Sequence, residues 1–124
     1  MNFERENKEN YALVSTKVEK LDTTNAPELK SELVMINKDG VNNIVLDMSD
    51  SRYCDSSGLS AILVANRLCK NSNGSFILTG IQESVMKLIT ISQLHTVLNI
   101  APSISEAEDL LKMQQVERDL DKGE

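Results

Sequence analysis

Residues 44–69 read IVLDMSDSRYCDSSGLSAILVANRLC. The run Ile44-Val45-Leu46-Asp47-Met48 is short, β-branched at its start and flanked by polar residues, the pattern of a strand buried on both faces. From Leu59 to Cys69, apolar residues (Leu59, Ala61, Ile62, Leu63, Val64, Ala65 and Leu68) fall on almost every side of a helix, which predicts a largely buried one. Between strand and helix lies the polar segment Ser49 to Asp55.

Working outward, the same alternation of strand and helix continues. Asn73-Gly74 makes a turn, Phe76-Ile77-Leu78 a further strand, and Val85, Leu88 and Ile89 mark one face of the next helix. A last short strand is expected around Thr96 to Ile100. Ser103 and Glu106 then stand at capping-box spacing ahead of Ala107, Leu110 and Leu111, where the final helix begins. Toward the amino terminus, Asn25-Ala26-Pro27-Glu28 reads as a helix start with an N-cap acceptor and a proline in the first turn. That helix should run to Lys38 with Ala26, Leu29, Leu33 and Ile36 on one stripe, and Gly40 is free to take the left-handed conformation that ends it. Val14, Thr16 and Val18 favour a strand over Tyr11 to Val18, and Asn2 to Glu6 could pair with it through the polar turn Glu6 to Asn10.

Short connections between alternating elements imply βαβ crossovers. The expected fold class is α/β, one domain with a mixed, mainly parallel β-sheet of four to five strands covered by about four α-helices. At 124 residues the chain suits a single core. The expected boundaries are 1–115 for the domain and 116–124 for a charged tail that frays, because VERDLDKGE offers almost no apolar residue to bury.

Composition removes several function classes. A net charge of -6, with no basic run to reverse it, opposes binding to phosphate backbones and anionic lipids, so neither nucleic acid nor a membrane is an expected partner. The polar start MNFERENKEN lacks the apolar stretch of about 7 to 15 residues that a signal peptide needs, and no stretch approaches the roughly 20 apolar residues of a span. Cys54 and Cys69 form neither a CxxC pair nor a zinc set and read as buried free thiols. A cytoplasmic location is the resulting expectation. Neither GxxxxGK[ST] nor GxGxxG occurs, and His95, the only histidine, has no GxSxG elbow to serve. No cofactor, metal or catalytic residue is expected; Met35, Met48 and Met86 read as core filling.

The chemistry concentrates in Ser51-Arg52-Tyr53-Cys54-Asp55-Ser56-Ser57-Gly58-Leu59. Asp55, Ser56 or Ser57 could simply cap the helix, accepting hydrogen bonds from unpaired first-turn amides. A phosphate on one of these hydroxyls would instead add about 1.5 to 2 negative charges and three strong acceptors beside Asp55. The helix dipole would favour that charge, and a partner fitted to a neutral hydroxyl would be repelled.

The pattern as a whole resembles the STAS family, in particular its stand-alone bacterial members, the anti-sigma factor antagonists. The resemblance runs from about Tyr11 to Leu111, through Leu21-Asp22, the Ile44-to-Asp47 strand, Cys54-Asp55-Ser56-Ser57-Gly58-Leu59 and the Phe76-to-Leu78 strand. It implies that Ser56 is phosphorylated by an anti-sigma factor that is itself a serine kinase, with Ser57 the second-choice acceptor. It implies further that the unphosphorylated form binds the kinase and frees a sigma factor, and that a serine phosphatase resets the switch. Asp22, Thr23, Asp55, Ser56, Ser57, Gly58 and Leu59 would then form the partner-binding face. Asp22-Thr23-Thr24 also reads as a plain polar turn, and Gly58 as a local packing requirement rather than an opening for a partner. Cys54 and Ser60 depart from the bulky apolar residue and the glycine usual at those positions. The competing reading is a non-switching STAS scaffold or accessory subunit of a signalling or transport complex.

Overall fold

In the computed structural model, which describes residues 2–122, the apolar runs resolve into two sets that point opposite ways. The strands are β1 (Phe3–Asn7), β2 (Ala12–Thr16), β3 (Lys20–Leu21), β4 (Ile44–Asp47), β5 (Tyr53–Cys54), β6 (Phe76–Thr79) and β7 (Asn99–Ala101). The helices are α1 (Ala26–Lys38), α2 (Ser56–Asn71), α3 (Glu83–Ile91) and α4 (Ile104–Lys122). Five strands form one sheet in the order β1-β2-β4-β6-β7. The β1–β2 hairpin is antiparallel, and the other three pairings are parallel.

Because side chains alternate across a strand, Ala12, Val14, Ile44, Leu46, Phe76 and Leu78 face one side. There they pack with Leu29, Leu33 and Ile36 of α1, Leu59, Ile62 and Ala65 of α2, and Val85 and Ile89 of α3. Leu13, Val45 and Ile77 face the other side and meet Ala107 and Leu111 of α4. Both faces of β4 are covered, as its unbroken apolar run requires, and Ile44, Val45 and Leu46 are fully buried.

Local signals hold in part. Gly40 takes a φ of 95° just past α1, and the Glu106 amide donates to Ser103 Oγ at 3.2 Å, as capping-box spacing implies. Asn25 stands at the N-cap of α1 but makes no capping bond. Its buried side chain instead accepts from the Asp22 amide at 3.0 Å and donates to the Lys20 carbonyl at 2.9 Å, closing the turn that enters the helix.

Three expectations need correction. The segment expected as a strand from Thr96 begins as a single 3-10 turn, Leu94–Thr96, because Gln93 adopts a left-handed φ of 60° and turns the chain; strand pairing starts only at Asn99. Met35, expected as core filling, is instead exposed on α1, whereas α2 begins at Ser56 directly after its cap Asp55, as expected. The tail expected to fray after Gln115 stays helical through Lys122. Gln114 and Arg118 continue the stripe of Ala107 and Leu111 toward the sheet and reach the buried Ser75, which donates to Gln114 Oε1 at 2.5 Å and accepts from Arg118 Nη1 at 3.0 Å. Residue 1 and residues 123–124, the ends of the expected domain and tail, lie outside the described residues.

Candidate functional site

Strand β4 delivers the chain to the edge of the α1–α3 layer, and the segment that follows is tied down residue by residue. Asp47 Oδ1 accepts from the Ser49 amide at 3.0 Å, and Gln82 donates to the Ser49 carbonyl at 2.6 Å. Ser51, fully buried, shares a 2.7 Å hydrogen bond with Thr16 and donates to the Val18 carbonyl at 2.7 Å. The amides of Arg52 and Tyr53 both donate to the Glu19 carbonyl, at 2.8 and 3.1 Å, and Ser84 donates to the Arg52 carbonyl.

These bonds set up a second, two-stranded parallel sheet that sequence periodicity does not reveal. Lys20 is paired with Tyr53 and Leu21 with Cys54, and the Asp55 amide donates to the Leu21 carbonyl at 3.1 Å. Leu21 and Cys54 point inward and are buried; Lys20 and Tyr53 are exposed. The inward pair rests on the first turn of α2. A Cβ built on Gly58 would lie 2.6 Å from Cys54 Sγ and 2.9 Å from Leu21 Cγ. Glycine at this position is therefore demanded by packing within the domain. Burial pushes the Cys54 thiol up to about 12, with the Asp55 charge adding to it, and burial alone does the same for Cys69.

Asp55 is the N-cap of α2. Its Oδ1 accepts from the Ser57 amide at 2.9 Å, the Gly58 amide at 3.1 Å and the Ser57 hydroxyl at 2.5 Å. The Ser57 hydroxyl does most to hold the Asp55 carboxyl below the usual carboxylate range; partial burial opposes it, and the backbone amides of Gly58, Ser57 and Thr23 reinforce it. The two neighbouring serines thus differ in kind. Ser57 is half-buried with its hydroxyl engaged, whereas Ser56 is exposed and its hydroxyl has no hydrogen-bond partner among the described residues.

The β3–β5 pairing brings Asp22 and Thr23 to the same end of the domain. Asp22 Oδ1 accepts from the amide and hydroxyl of Thr24, at 3.0 and 2.6 Å, so its carboxylate serves its own turn and makes no hydrogen bond to Ser56. Of the seven residues expected on the binding face, Thr23 and Ser56 are exposed, while Asp22, Asp55 and Ser57 are half-buried. Gly58 and Leu59 are buried, Leu59 within the core under α1 and α2, so they shape this end rather than present it. Sequence reading missed Ser84 and gave no separate role to Ser51, which anchors the segment, or to Tyr53, which it exposes, although both lie in the stretch it singled out; two-residue strands carry no periodicity from which to read such roles.

Elsewhere, His95 lies exposed in the 3-10 turn. No cluster of His, Cys, Asp and Glu able to hold a metal occurs among the described residues, and no helix of theirs is long and apolar enough to cross a membrane. The first turn of α2 offers a hydroxyl at a helix N-terminus, where a phosphate would gain from the dipole and be opposed by the Asp55 charge.

Residues 3–107 match the model of the STAS domain. A candidate anti-sigma factor antagonist from Thermotoga maritima superposes with a TM-score of 0.80 at 26% identity, over 89% of this chain and 94% of that one. The phosphorylated form of the Bacillus cell fate determinant SpoIIAA gives a TM-score of 0.68 at 20% identity, over 86% and 96% of the two chains. The chain is also similar to part of a murine Solute Carrier 26 family anion transporter, with a TM-score of 0.68 at 17% identity, over 84% of this chain and 18% of the transporter. At 20% and 17% identity these last two likenesses speak for the fold alone.

Proposed function

Because this chain belongs to the STAS domain family, we propose that it is an anti-sigma factor antagonist that works by partner switching through Ser56. Its unphosphorylated form binds an anti-sigma factor that is a serine kinase and so releases a sigma factor. Phosphate on Ser56 ends that binding, and a serine phosphatase restores it. The protein acts as a regulatory binding protein and as substrate of these two enzymes, in the cytoplasm, without a cofactor of its own.

One observation carries the choice of residue: Asp55 engages the Ser57 hydroxyl at 2.5 Å and leaves the adjacent Ser56 exposed at the start of α2. A kinase needs an acceptor hydroxyl that can leave its own protein's hydrogen bonds, and among the described residues Ser56 has none to leave. Phosphate there would place about two charges next to Asp55 on a face otherwise fitted to a neutral serine, so repulsion and desolvation both act against a docked partner. The likeness, at 26% identity, to a candidate anti-sigma factor antagonist supports the antagonist role.

The test is incubation with ATP and the serine-kinase anti-sigma factors encoded in the same genome, followed by fragmentation mass spectrometry and a binding assay. Phosphate on Ser56 together with loss of kinase binding is expected, and Ser56→Ala should bind but accept no phosphate. The alternative is a non-switching scaffold or accessory subunit. Stable binding with no modification would select it instead.

A further inference from the structure

The two-stranded sheet sorts its four side chains into an inward and an outward pair. Leu21 and Cys54 go under, and Lys20 and Tyr53 stay out. Among the four aromatic residues of the chain, Phe3, Tyr11 and Phe76 are buried, and Tyr53 alone is 51% exposed. It stands three residues before Ser56, on the strand that leads into the first turn of α2.

Tyr53 is also held still. Its amide donates to the Glu19 carbonyl at 3.1 Å, the neighbouring Arg52 amide donates to the same oxygen at 2.8 Å, and Ser84 fixes the Arg52 carbonyl from α3. A large side chain on a backbone already ordered loses little entropy when covered, which is what makes tyrosine an economical anchor in protein interfaces. The exposed charges around it are mixed, with Glu19 beside Lys20 and Asp50 two residues before Arg52. Lys20, its register partner, and Arg52, its chain neighbour, are both exposed cations in a chain of net charge -6.

The geometry points to Tyr53 as the anchor of the docking face for the kinase partner, seated in an apolar slot whose rim carries carboxylates opposite Lys20 and Arg52. This rests on the kinase-binding reading above and adds to it a residue that does not itself receive phosphate. Affinity comes from Tyr53, and the Ser56 hydroxyl supplies the release.

The experiment measures the dissociation constant of the unphosphorylated protein for its serine-kinase anti-sigma factor by titration calorimetry, in the wild type and four variants. Tyr53→Ala is expected to weaken binding at least about tenfold, with an unchanged melting curve because the strand's bonds are made by backbone. Tyr53→Phe keeps the ring and should stay within about twofold. Lys20→Glu should weaken binding in a way that grows as salt is lowered, since a rim pair is screened. Val116→Ala, a 57% exposed apolar residue on α4, is the comparator and should bind like the wild type. Equal affinity of Tyr53→Ala and wild type overturns the anchor and leaves the switch standing. If the wild type binds none of the kinases, the switch falls and the anchor with it.

Discussion

The Ser57 hydroxyl lies 2.5 Å from the Asp55 Oδ1 that also caps α2, so two residues of the signature are spent on each other and their neighbour Ser56 is the one left exposed. This division of labour predicts an asymmetric response to alanine. Ser57→Ala should lower the melting temperature, because Asp55 loses a hydrogen bond, while phosphate still reaches Ser56. Ser56→Ala should leave the melting temperature unchanged and abolish phosphorylation. Thermal melts and phosphopeptide mapping on the two variants separate these outcomes; phosphate found on Ser57 in the wild type would contradict them.

The same carboxylate gives a pH dependence whose sign is fixed. Asp55 has a lower pKa folded than unfolded, because its charged form accepts bonds from Ser57, Gly58 and Thr23. Its contribution to stability is therefore complete above the ordinary aspartate value of about 3.9 and is lost as pH falls through the lower folded value. Asp55→Asn should flatten that part of a melting-temperature profile recorded below pH 4. A variant profile parallel to the wild type would mean that Asp55 does not supply it.

Gly58→Ala should destabilise the domain by about 1–3 kcal/mol, the usual cost of overpacking, since the new methyl meets Cys54 Sγ at 2.6 Å and Leu21 Cγ at 2.9 Å. The better helix propensity of alanine recovers at most about 1 kcal/mol of this. Adding Cys54→Ala should recover part of the loss, and a double-mutant cycle in denaturant would read the coupling. Strict additivity would refute the contact.

Both thiols should resist modification. A thiol raised to about 12 holds almost no thiolate at pH 8, and both Cys54 and Cys69 are buried. Ellman's reagent should find no rapidly reacting thiol in the native protein and two after denaturation.

Arg118→Ala should cost about 1–2 kcal/mol, on the scale of one hydrogen bond from a charged donor. It removes the bond to Ser75 that ties the end of α4 to the sheet. Chemical denaturation measures this directly, and an unchanged midpoint would return residues beyond Gln115 to the status of a loose tail.

The parts of the fold that were legible in sequence are those whose signal is local. The β4 run, the all-round apolar α2 and the stripe of α1 each announce themselves by period, and the Ser103–Glu106 spacing named the start of α4. The unreadable parts depend on distant partners. Strands β3 and β5 have two residues each, and only their pairing across the chain, Lys20 with Tyr53, makes them strands. Gln114 and Arg118 occupy sheet-facing positions with polar side chains, so the apolar pattern of α4 stops before the helix does; nothing local says that buried Ser75 lies beneath. At the site, a capping role for Asp55 was readable from residue type. Which serine the carboxylate would engage was not, because Asp55 can reach either by a rotation that sequence does not record. The two readings of Gly58 were also equal in sequence, and the distance to Cys54 Sγ decides for packing.

The β3–β5 pair stands outside the five-stranded sheet and meets it through loops rather than a shared ladder. A unit so small can open without opening its neighbour, and local openings of this kind cost less than global unfolding. In deuterated solvent the amides of Arg52, Tyr53 and Asp55 should therefore trade their protons well before those of β4 and β6. Such openings start from an ordered ground state and need not involve the five-stranded sheet, so the pair has a stability of its own within one folded core.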